Sequence, residues 1–253
     1  MLIPLLWALS TSLKTAEEVL ERPHDLIPRT PRFINYANVF SILPFHLYFK
    51  NSLFVSSLTI AGTLITSSMA AYAFARLRFK GRTLLFMLYL ATLMVPRQVV
   101  LVPNFVIMKN LKLIDNLWSL ILTGTFTAYG AFFLRQFFLT IPGELEEAAI
   151  IDGIGYFKRL ALIIIPLAKP ALITLTIITL LNTWNDFLFP LIFINSDVNR
   201  TLTIGLSLLR GDFDTKWNIV MAATLLSISP LVLCFVFAQK FFIEGIALSG
   251  IKG

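Results

Sequence analysis

Charge falls along this chain in blocks separated by long apolar runs. From Asn51 to Ala75 there is no Asp, Glu, Lys or Arg, and then comes Arg76-Leu77-Arg78-Phe79-Lys80-Gly81-Arg82. A helix needs about 20 apolar residues to cross a bilayer core, and this run supplies them. Four basic residues in one short loop place that loop in the cytoplasm. Ser56, Ser57, Gly62, Ser67, Ser68, Ala70, Ala71 and Ala73 make the helix narrow, which predicts close packing against other helices in lipid.

The same reading continues down the chain. Thr83 to Val95 begins a second span leading outward, interrupted at Pro96, Arg97 and Pro103. Val99 to Met108 reads as an interfacial segment and Lys109 to Asn116 as an external loop. Asn116 to Leu134 is a third, charge-free span returning to the cytoplasm, with Gly124 and Gly130 as further close-packing positions. Leu160 to Trp184 rises again, carrying Pro166, Lys169 and Pro170 in its lower part. Asn195 to Lys216 reads as an external loop, and Trp217 to Gln239 as the last span. Leu2–Leu9 is too short to cross and reads as the outer end of a further helix. The prediction is an all-α membrane protein, a polytopic helical bundle of five full spans plus a truncated first helix. Its divisions are a remnant helix (1–13), an extracytoplasmic segment (14–50), a membrane core (51–243) and a cytoplasmic tail (244–253).

Composition strengthens this picture. The chain has 253 residues, of which 57% are hydrophobic and 14% charged. Its mean hydropathy is +0.81. Soluble domains carry about a quarter charged residues, too many for this chain to match. A formal charge of +7 in a soluble protein would suggest nucleic acid. Here the basic residues sit at the ends of apolar runs, where they anchor helices against anionic headgroups, so no nucleic acid is expected. Lys14, Arg22, Arg29, Arg32, Arg200, Arg210 and Lys216 fall on the external side, so a raw count does not orient the chain. The compact Arg76–Arg82 cluster decides, because long loops obey the rule poorly.

Candidate chemistry is sparse. Cys234 lies alone in an apolar run and reads as a small hydrophobe. His24 and His46 stand apart, with no metal-ligand spacing. No Gly-rich phosphate loop is present, so ATP must be handled by a partner.

The informative loop is Glu144-Leu145-Glu146-Glu147-Ala148-Ala149-Ile150-Ile151-Asp152-Gly153. Pro142 suits a first helical turn. Glu144, Glu146 and Glu147 then sit where the helix dipole favours negative charge. Ala148 and Ala149 leave a low-relief face, and Gly153 can take the left-handed conformation that ends a helix. The product is a short acidic-fronted helix that could dock in a cleft of another protein. An amphipathic helix resting on the membrane fits the composition equally well.

Spacing separates the two. Glu147-Ala148-Ala149, three residues, Gly153, nine residues, then Ile163-Ile164-Ile165-Pro166 resembles the EAA loop of ABC-importer permeases, with Ile165 where the family usually has Leu. The wider chain resembles the carbohydrate, maltose-permease-like branch. The matching segments are Asn51-Ser52-Leu53, Ala70-Ala71-Tyr72-Ala73-Phe74-Ala75-Arg76 and Phe132-Phe133-Leu134-Arg135-Gln136-Phe137-Phe138. Trp184-Asn185-Asp186-Phe187, Gln239–Gly245 and Ser249–Gly253 match as well. In that family a first helix precedes the segment Pro4–Lys14, so the resemblance implies a start that lacks it.

The resemblance implies a type I ABC importer transmembrane fold in a bacterial inner membrane. It implies a coupling loop over 142–166, with Glu144, Glu147, Ala148, Ala149, Asp152, Gly153 and Pro166 serving the ATPase contact. The implied partners are a second permease subunit in a heterodimer, two ABC ATPase subunits and an extracytoplasmic solute-binding protein, all in a lipid bilayer. ATP and Mg would sit on the partner ATPase, with no cofactor on this chain and no enzymatic step of its own. The tail Gly250–Gly253 resembles tails that reach the ATPase interface, and a disordered end fits it equally well.

Trp184, Asn185 and Asp186 are candidates for the substrate pathway, since an aromatic face with amide and carboxylate groups suits sugar hydroxyls. An interfacial Trp anchor with a helix-ending Asn-Asp pair accounts for them too. A stand-alone carrier would need ionisable groups in mid-membrane and often shows internal repeats. A membrane enzyme would need a nucleophile-base or metal constellation in its spans. Neither pattern is present. Glycerol phosphate or amino acid remains an alternative solute.

Overall fold

The computed structural model describes residues 3–210 and 215–249, with side chains through Val236. The expected tail Gly250–Gly253 lies outside the described residues. Every regular element among the described residues is helical. In chain order these are α1 (Ile3–Ser12), α2 (Ala16–Glu21), α3 (Ile34–Ile42), α4 (Phe45–Arg76), α5 (Arg82–Ala91), α6 (Leu101–Asn110), α7 (Leu117–Thr125) and α8 (Ala128–Thr140). They continue with α9 (Glu144–Ile151), α10 (Tyr156–Arg159), α11 (Ile165–Leu167), α12 (Lys169–Trp184), α13 (Leu188–Phe193), α14 (Leu202–Leu208) and α15 (Trp217–Ser249). A π-helical turn, Leu160–Ile164, joins α10 to α11.

Two of the expected spans are long, apolar and unbroken, Phe45–Arg76 and Trp217–Val236. Two more are bent. The run Asn116–Leu134, read as one helix, divides into α7 and α8 at a 41° bend. The run Leu160–Trp184 turns through 84° between Tyr156–Leu167 and Lys169–Trp184. The second bend has a visible cause: Pro166 and Pro170 bracket it, and the π-helical turn precedes it. The remaining span is a short apolar helix, Arg82–Met94, ending in a 3-10 turn before Pro96. Helix α4 begins at Phe45, ahead of the expected Asn51.

The chain forms two compact units. One comprises the chain up to Phe54, Asp115–Leu117 and Trp184–Leu233. In it Lys14 is 1% exposed. Its ammonium donates to the carbonyls of Arg22 (2.9 Å) and Asp25 (2.5 Å). The Asn35 amide donates to Ser12 O and Lys14 O, and Asn218 of α15 also donates to Lys14 O. The end of α1 is thus tied to α3 and α15 through its free carbonyls. The segment Asn195–Lys216, expected to be a loop, carries α14 with Leu202 and Ile204 buried. Asn51 donates to Val198 O and Arg200 O, both at 2.9 Å, and Ser52 accepts from the Leu202 N–H. Pro230 lies inside α15 and supplies no N–H to the Leu226 carbonyl four residues back. The Ser229 hydroxyl donates to that carbonyl instead, at 2.8 Å.

The other unit comprises Val55–Ile114, Trp118–Thr183 and the chain from Cys234 on. Its buried cluster joins Ala71 and Tyr72 of α4, Leu134 and Phe138 of α8, and Ile164, Ala168, Ala171 and Leu175 around α12. The small residues do what the sequence suggested. A Cβ on Gly62 would stand 2.7 Å from Thr125 Cγ2, one on Gly124 2.9 Å from Thr59 Cγ2, and one on Gly130 would overlap Ser67. The break between α7 and α8 frees backbone carbonyls that lipid cannot satisfy. Thr63 and Thr66 hydroxyls donate to Thr125 O at 3.1 and 3.3 Å, and the Tyr89 hydroxyl donates to Thr127 O at 3.3 Å.

Gly62→Leu is therefore expected to lower stability by about 1–3 kcal/mol through overpacking, read as a lower melting temperature of the purified protein. Gly143→Ala, where a Cβ meets nothing within 4 Å, is expected to leave that temperature unchanged.

Candidate functional site: an anchored helix after α8

Helix α9 begins after Gly143, whose carbonyl accepts from Glu146 N (2.9 Å) and Glu147 N (3.0 Å). Pro142, expected in the first turn, precedes the helix. Three acids, Glu144, Glu146 and Glu147, occupy the first turn, where exposed N–H groups and the helix dipole favour them. The far end is closed by Gly153 at φ +74°. Gly153 N–H donates to Ile150 O (3.0 Å) and Ile154 N–H to Ala149 O (2.9 Å). This is the paired Schellman closure, and its left-handed residue strongly favours glycine.

The helix shows two faces. Glu144, Glu147, Ala148 and Ile151 recur at helical spacing and are all exposed, Ile151 to 86%, with Asp152 exposed at the cap. Leu145 and Ile150 flank them and are exposed too. Glu146 and Ala149 turn inward. The two alanines therefore diverge: Ala148 lies on the open face, while Ala149 is packed within the chain. Beyond the cap, Tyr156 and Phe157 of α10 are exposed aromatic residues. Pro166 lies in α11 beside the 84° bend, at the base of α12 rather than on α9.

The inward face is held by charge. Glu146 Oε2 lies 3.7 Å from Arg76 Nε, both side chains largely buried. Arg76, at the end of α4, also donates from Nη2 to Phe138 O (2.7 Å) and Ile141 O (2.5 Å) at the end of α8. One guanidinium thus closes the C-terminus of α8 and pairs with the first turn of α9. Arg135 of α8 answers by donating to Phe74 O of α4 at 3.1 Å, its guanidinium 4.2 Å over the Phe86 ring. Arg159 is buried in α10 with its guanidinium 4.6 Å from the Tyr156 ring centre. Tyr72 lies within electrostatic reach of Glu146, Arg159 and Arg76. Among the described residues Arg76 Nε and Arg159 Nε make no hydrogen bond.

Sequence reasoning named the exposed acids and missed this anchor. The signal was available: Glu146 and Ala149 are three apart and share a face, and Arg76 directly follows the apolar run of α4.

The second candidate group lies in the other unit. Trp184 is 3% exposed, its Nε1–H donates to Ser227 O at 3.0 Å, and its ring meets Phe49 edge-on at 5.7 Å. It presents no open face within this chain. Asp186 accepts from Phe189 N–H at 3.4 Å in the first turn of α13, and its backbone carbonyl accepts from the Thr203 hydroxyl at 2.7 Å. Asn185 is exposed beside it.

A carboxylate not singled out from sequence organises the turn after α13. Asp115, at φ +61°, accepts through Oδ1 from Asn195 N–H (3.0 Å), Ser196 N–H (2.9 Å) and the Ser196 hydroxyl (2.8 Å). Its N–H donates to Phe193 O and its carbonyl accepts from Asn199. The Ser196 N–H is the largest influence holding the Asp115 carboxyl below the ordinary range, with the Ser196 hydroxyl, Asn195 and Asn199 adding to it against partial burial.

Two outcomes follow from these geometries. Glu146→Ala strands the Arg76 charge, and removing one partner of a buried pair costs about 3–5 kcal/mol. Its melting temperature is expected to fall well below that of Glu144→Ala, which leaves the anchor intact. For Asp115 the folded pKa is the lower one, so its stabilisation is complete above the unfolded value of about 3.9. It is lost as pH falls through the lowered folded value. Melting curves across that acid range should show a smaller pH dependence in Asp115→Asn than in the parent chain.

Residues 62–247 match the family model for the binding-protein-dependent transport system inner membrane component. The sulfoquinovosyl glycerol transport system permease protein of Agrobacterium fabrum is 37% identical over 100% of this chain and 89% of its own length. The arabinooligosaccharides transport system permease protein of Bacillus subtilis is 37% identical over 100% of this chain and 91% of its own. The sn-glycerol-3-phosphate transport system permease protein of Brucella abortus is 33% identical over 96% and 89%. A chain from the crystal structure of a bacterial ABC transporter involved in import of the acidic polysaccharide alginate shares the fold. It superposes with a TM-score of 0.86 at 24% identity, covering 95% of this chain and 90% of that one. The unbroken and bent membrane helices, the loop helix that follows α8 and these matches agree: the chain belongs to the family of binding-protein-dependent transport system inner membrane components.

Proposed function

We propose that this chain is one permease subunit of an ATP-driven importer for a sugar or related polyol. In this reading it pairs with a second permease subunit in a heterodimer and forms half of the pathway across a bacterial inner membrane. A solute-binding protein delivers the solute from outside. Two ATPase subunits bind ATP and Mg, and all the hydrolytic chemistry is theirs. The observation that carries the proposal is the division of α9 into an open face and an anchored face. Glu144, Glu147, Ala148 and Ile151 are presented outward, while Glu146 is tied through Arg76 to the ends of α4 and α8. A helix so built can enter a cleft on an ATPase and pass its displacement to the spans as a rigid body.

Closure of the ATPase pair around ATP would shift α9, and the pull would reach α4 and α8 through Arg76. Hydrolysis would release it. The subunit then acts as a two-state conduit, its equilibrium biased by whichever nucleotide state grips α9 more tightly. Gly153 and Asp152 close the helix, and Pro166 marks the bend at which motion enters α12.

The solute class rests on the relatives. Three of them are permease proteins of sulfoquinovosyl glycerol, arabinooligosaccharide and sn-glycerol-3-phosphate transport systems. All three solutes are polyhydroxylated, and two of them also carry an anionic sulfonate or phosphate group. The related alginate ABC transporter has been captured with a pentasaccharide-bound periplasmic protein, a neighbour of this chain at TM-score 0.66. Within the chain, Asn185 and Asp186 border the route, with Trp184 backing them from the interior.

Glu147→Lys reverses the charge of the open face, and Gly153→Pro cannot adopt φ +74°. In a reconstituted complex both are expected to insert and assemble normally, yet to lose ATP hydrolysis stimulated by loaded solute-binding protein. Normal stimulated hydrolysis in either variant would overturn the coupling assignment.

A further inference from the structure

We propose that the turn joining α4 to α5 binds a phosphate group, presented by an anionic phospholipid of the inner leaflet. A groove of about 470 Å³ opens there, lined by Arg78, Phe79, Gly81, Arg82, Thr83 and Leu84. Small-molecule sites run from about 300 to 1,000 Å³, so the groove can admit a headgroup. Two arginines line it, and the lining contains no acidic residue. Arg82 is oriented by donating from Nη1 to Leu77 O at 3.1 Å. A planar guanidinium matches phosphate oxygens, and two of them specify an anion.

The backbone adds to this charge. Gly81 has φ +80°, and a Cβ built there meets nothing within 4 Å, so the main chain is open to a close-lying ligand. The residue is the N-cap of α5, a helix of 10 residues, and makes no side-chain cap. The Arg82 N–H donates to Phe79 O at 3.4 Å; the N–H groups that follow it in the first turn have no capping side chain from Gly81, and the positive end of the helix dipole lies behind them.

Position selects lipid as the source. Arg76, the last residue of α4 before this turn, holds the C-terminal carbonyls of α8 and pairs with Glu146 of α9. The groove is therefore on the membrane side that carries α9. Beyond it, Leu84, Leu85, Met87 and Leu88 of α5 are exposed. Acyl chains can lie along this apolar surface while the phosphate sits between the arginines. Free phosphate would gain the charge contacts alone. Each basic residue near an anionic surface strengthens association about fivefold, so the pair accounts for about 25-fold. The site is independent of what α9 docks against.

The test is native mass spectrometry of the assembled transporter in detergent, titrated with dioleoyl phosphatidylglycerol or dioleoyl phosphatidylcholine. The parent complex should retain phosphatidylglycerol in preference to phosphatidylcholine. Arg78→Gln with Arg82→Gln should weaken phosphatidylglycerol about 25-fold and leave phosphatidylcholine unchanged. Arg82→Lys, which keeps the charge but loses the guanidinium fork, should bind between the parent and the double variant, and unchanged retention of phosphatidylcholine by the double variant shows that its loss does not reflect misfolding. Lys109→Gln, an equal charge change at the end of α6 away from the groove, should bind as the parent does. Equal retention of the two lipids, or parent-like binding by the double variant, would overturn the proposal. Full displacement of phosphatidylglycerol by millimolar inorganic phosphate would overturn the lipid assignment and make the groove a free-anion site.

Discussion

The contact between Arg76 and Glu146 is the constraint on which the inner end of this protein depends. Arg76 stands at the end of a 32-residue helix and does three things with one guanidinium. It covers the last carbonyls of α8, sets the exit of the chain from that helix, and neutralises a buried acid at the start of α9. A buried ion pair is weak evidence for stability, because desolvation offsets much of its attraction. Its consequence here is geometric: α9 cannot rotate about its axis without stranding a charge. The exposed acids and Ala148 are outward because Glu146 is inward.

The membrane imposes the same demand elsewhere. Every interruption in an apolar helix frees carbonyls, and each must find a donor within the protein. Thr63, Thr66 and Tyr89 serve the break between α7 and α8. Ser229 serves the carbonyl that Pro230 cannot reach. Arg135 serves the end of α4. The hydroxyls scattered through apolar runs are thus allotted to backbone defects. The glycines that meet Thr59, Ser67 and Thr125 let those hydroxyl-bearing helices approach closely.

Much of this was legible in the sequence, and the rest was hidden for identifiable reasons. The apolar runs gave the spans, and Gly153 gave the end of α9, because each is a local requirement of the backbone. The bend at 126–127 was invisible: Asn116–Leu134 contains neither proline nor charge, and the break is stabilised by donors from α4. Helix α14 was hidden in a segment bounded by polar residues, although Leu202, Ile204 and Gly205 are buried and Gly205 lies against Tyr48. The burial of Lys14 was hidden because no carboxylate is needed for it; two carbonyls, of Arg22 and Asp25, suffice. Glu146 looked like one acid among three. Only the partner on α4 distinguishes it, and partners distant in sequence are what a single chain of letters conceals.

The central claim is that the open face of α9 touches another polypeptide and is driven by it. A photo-crosslinking residue placed at Ile151, 86% exposed on that face, tests this within the assembled transporter. The account predicts a crosslink to the ATPase subunit whose yield changes between the ATP-bound and nucleotide-free states. Crosslinks to lipid alone, or a protein crosslink indifferent to nucleotide, would contradict it.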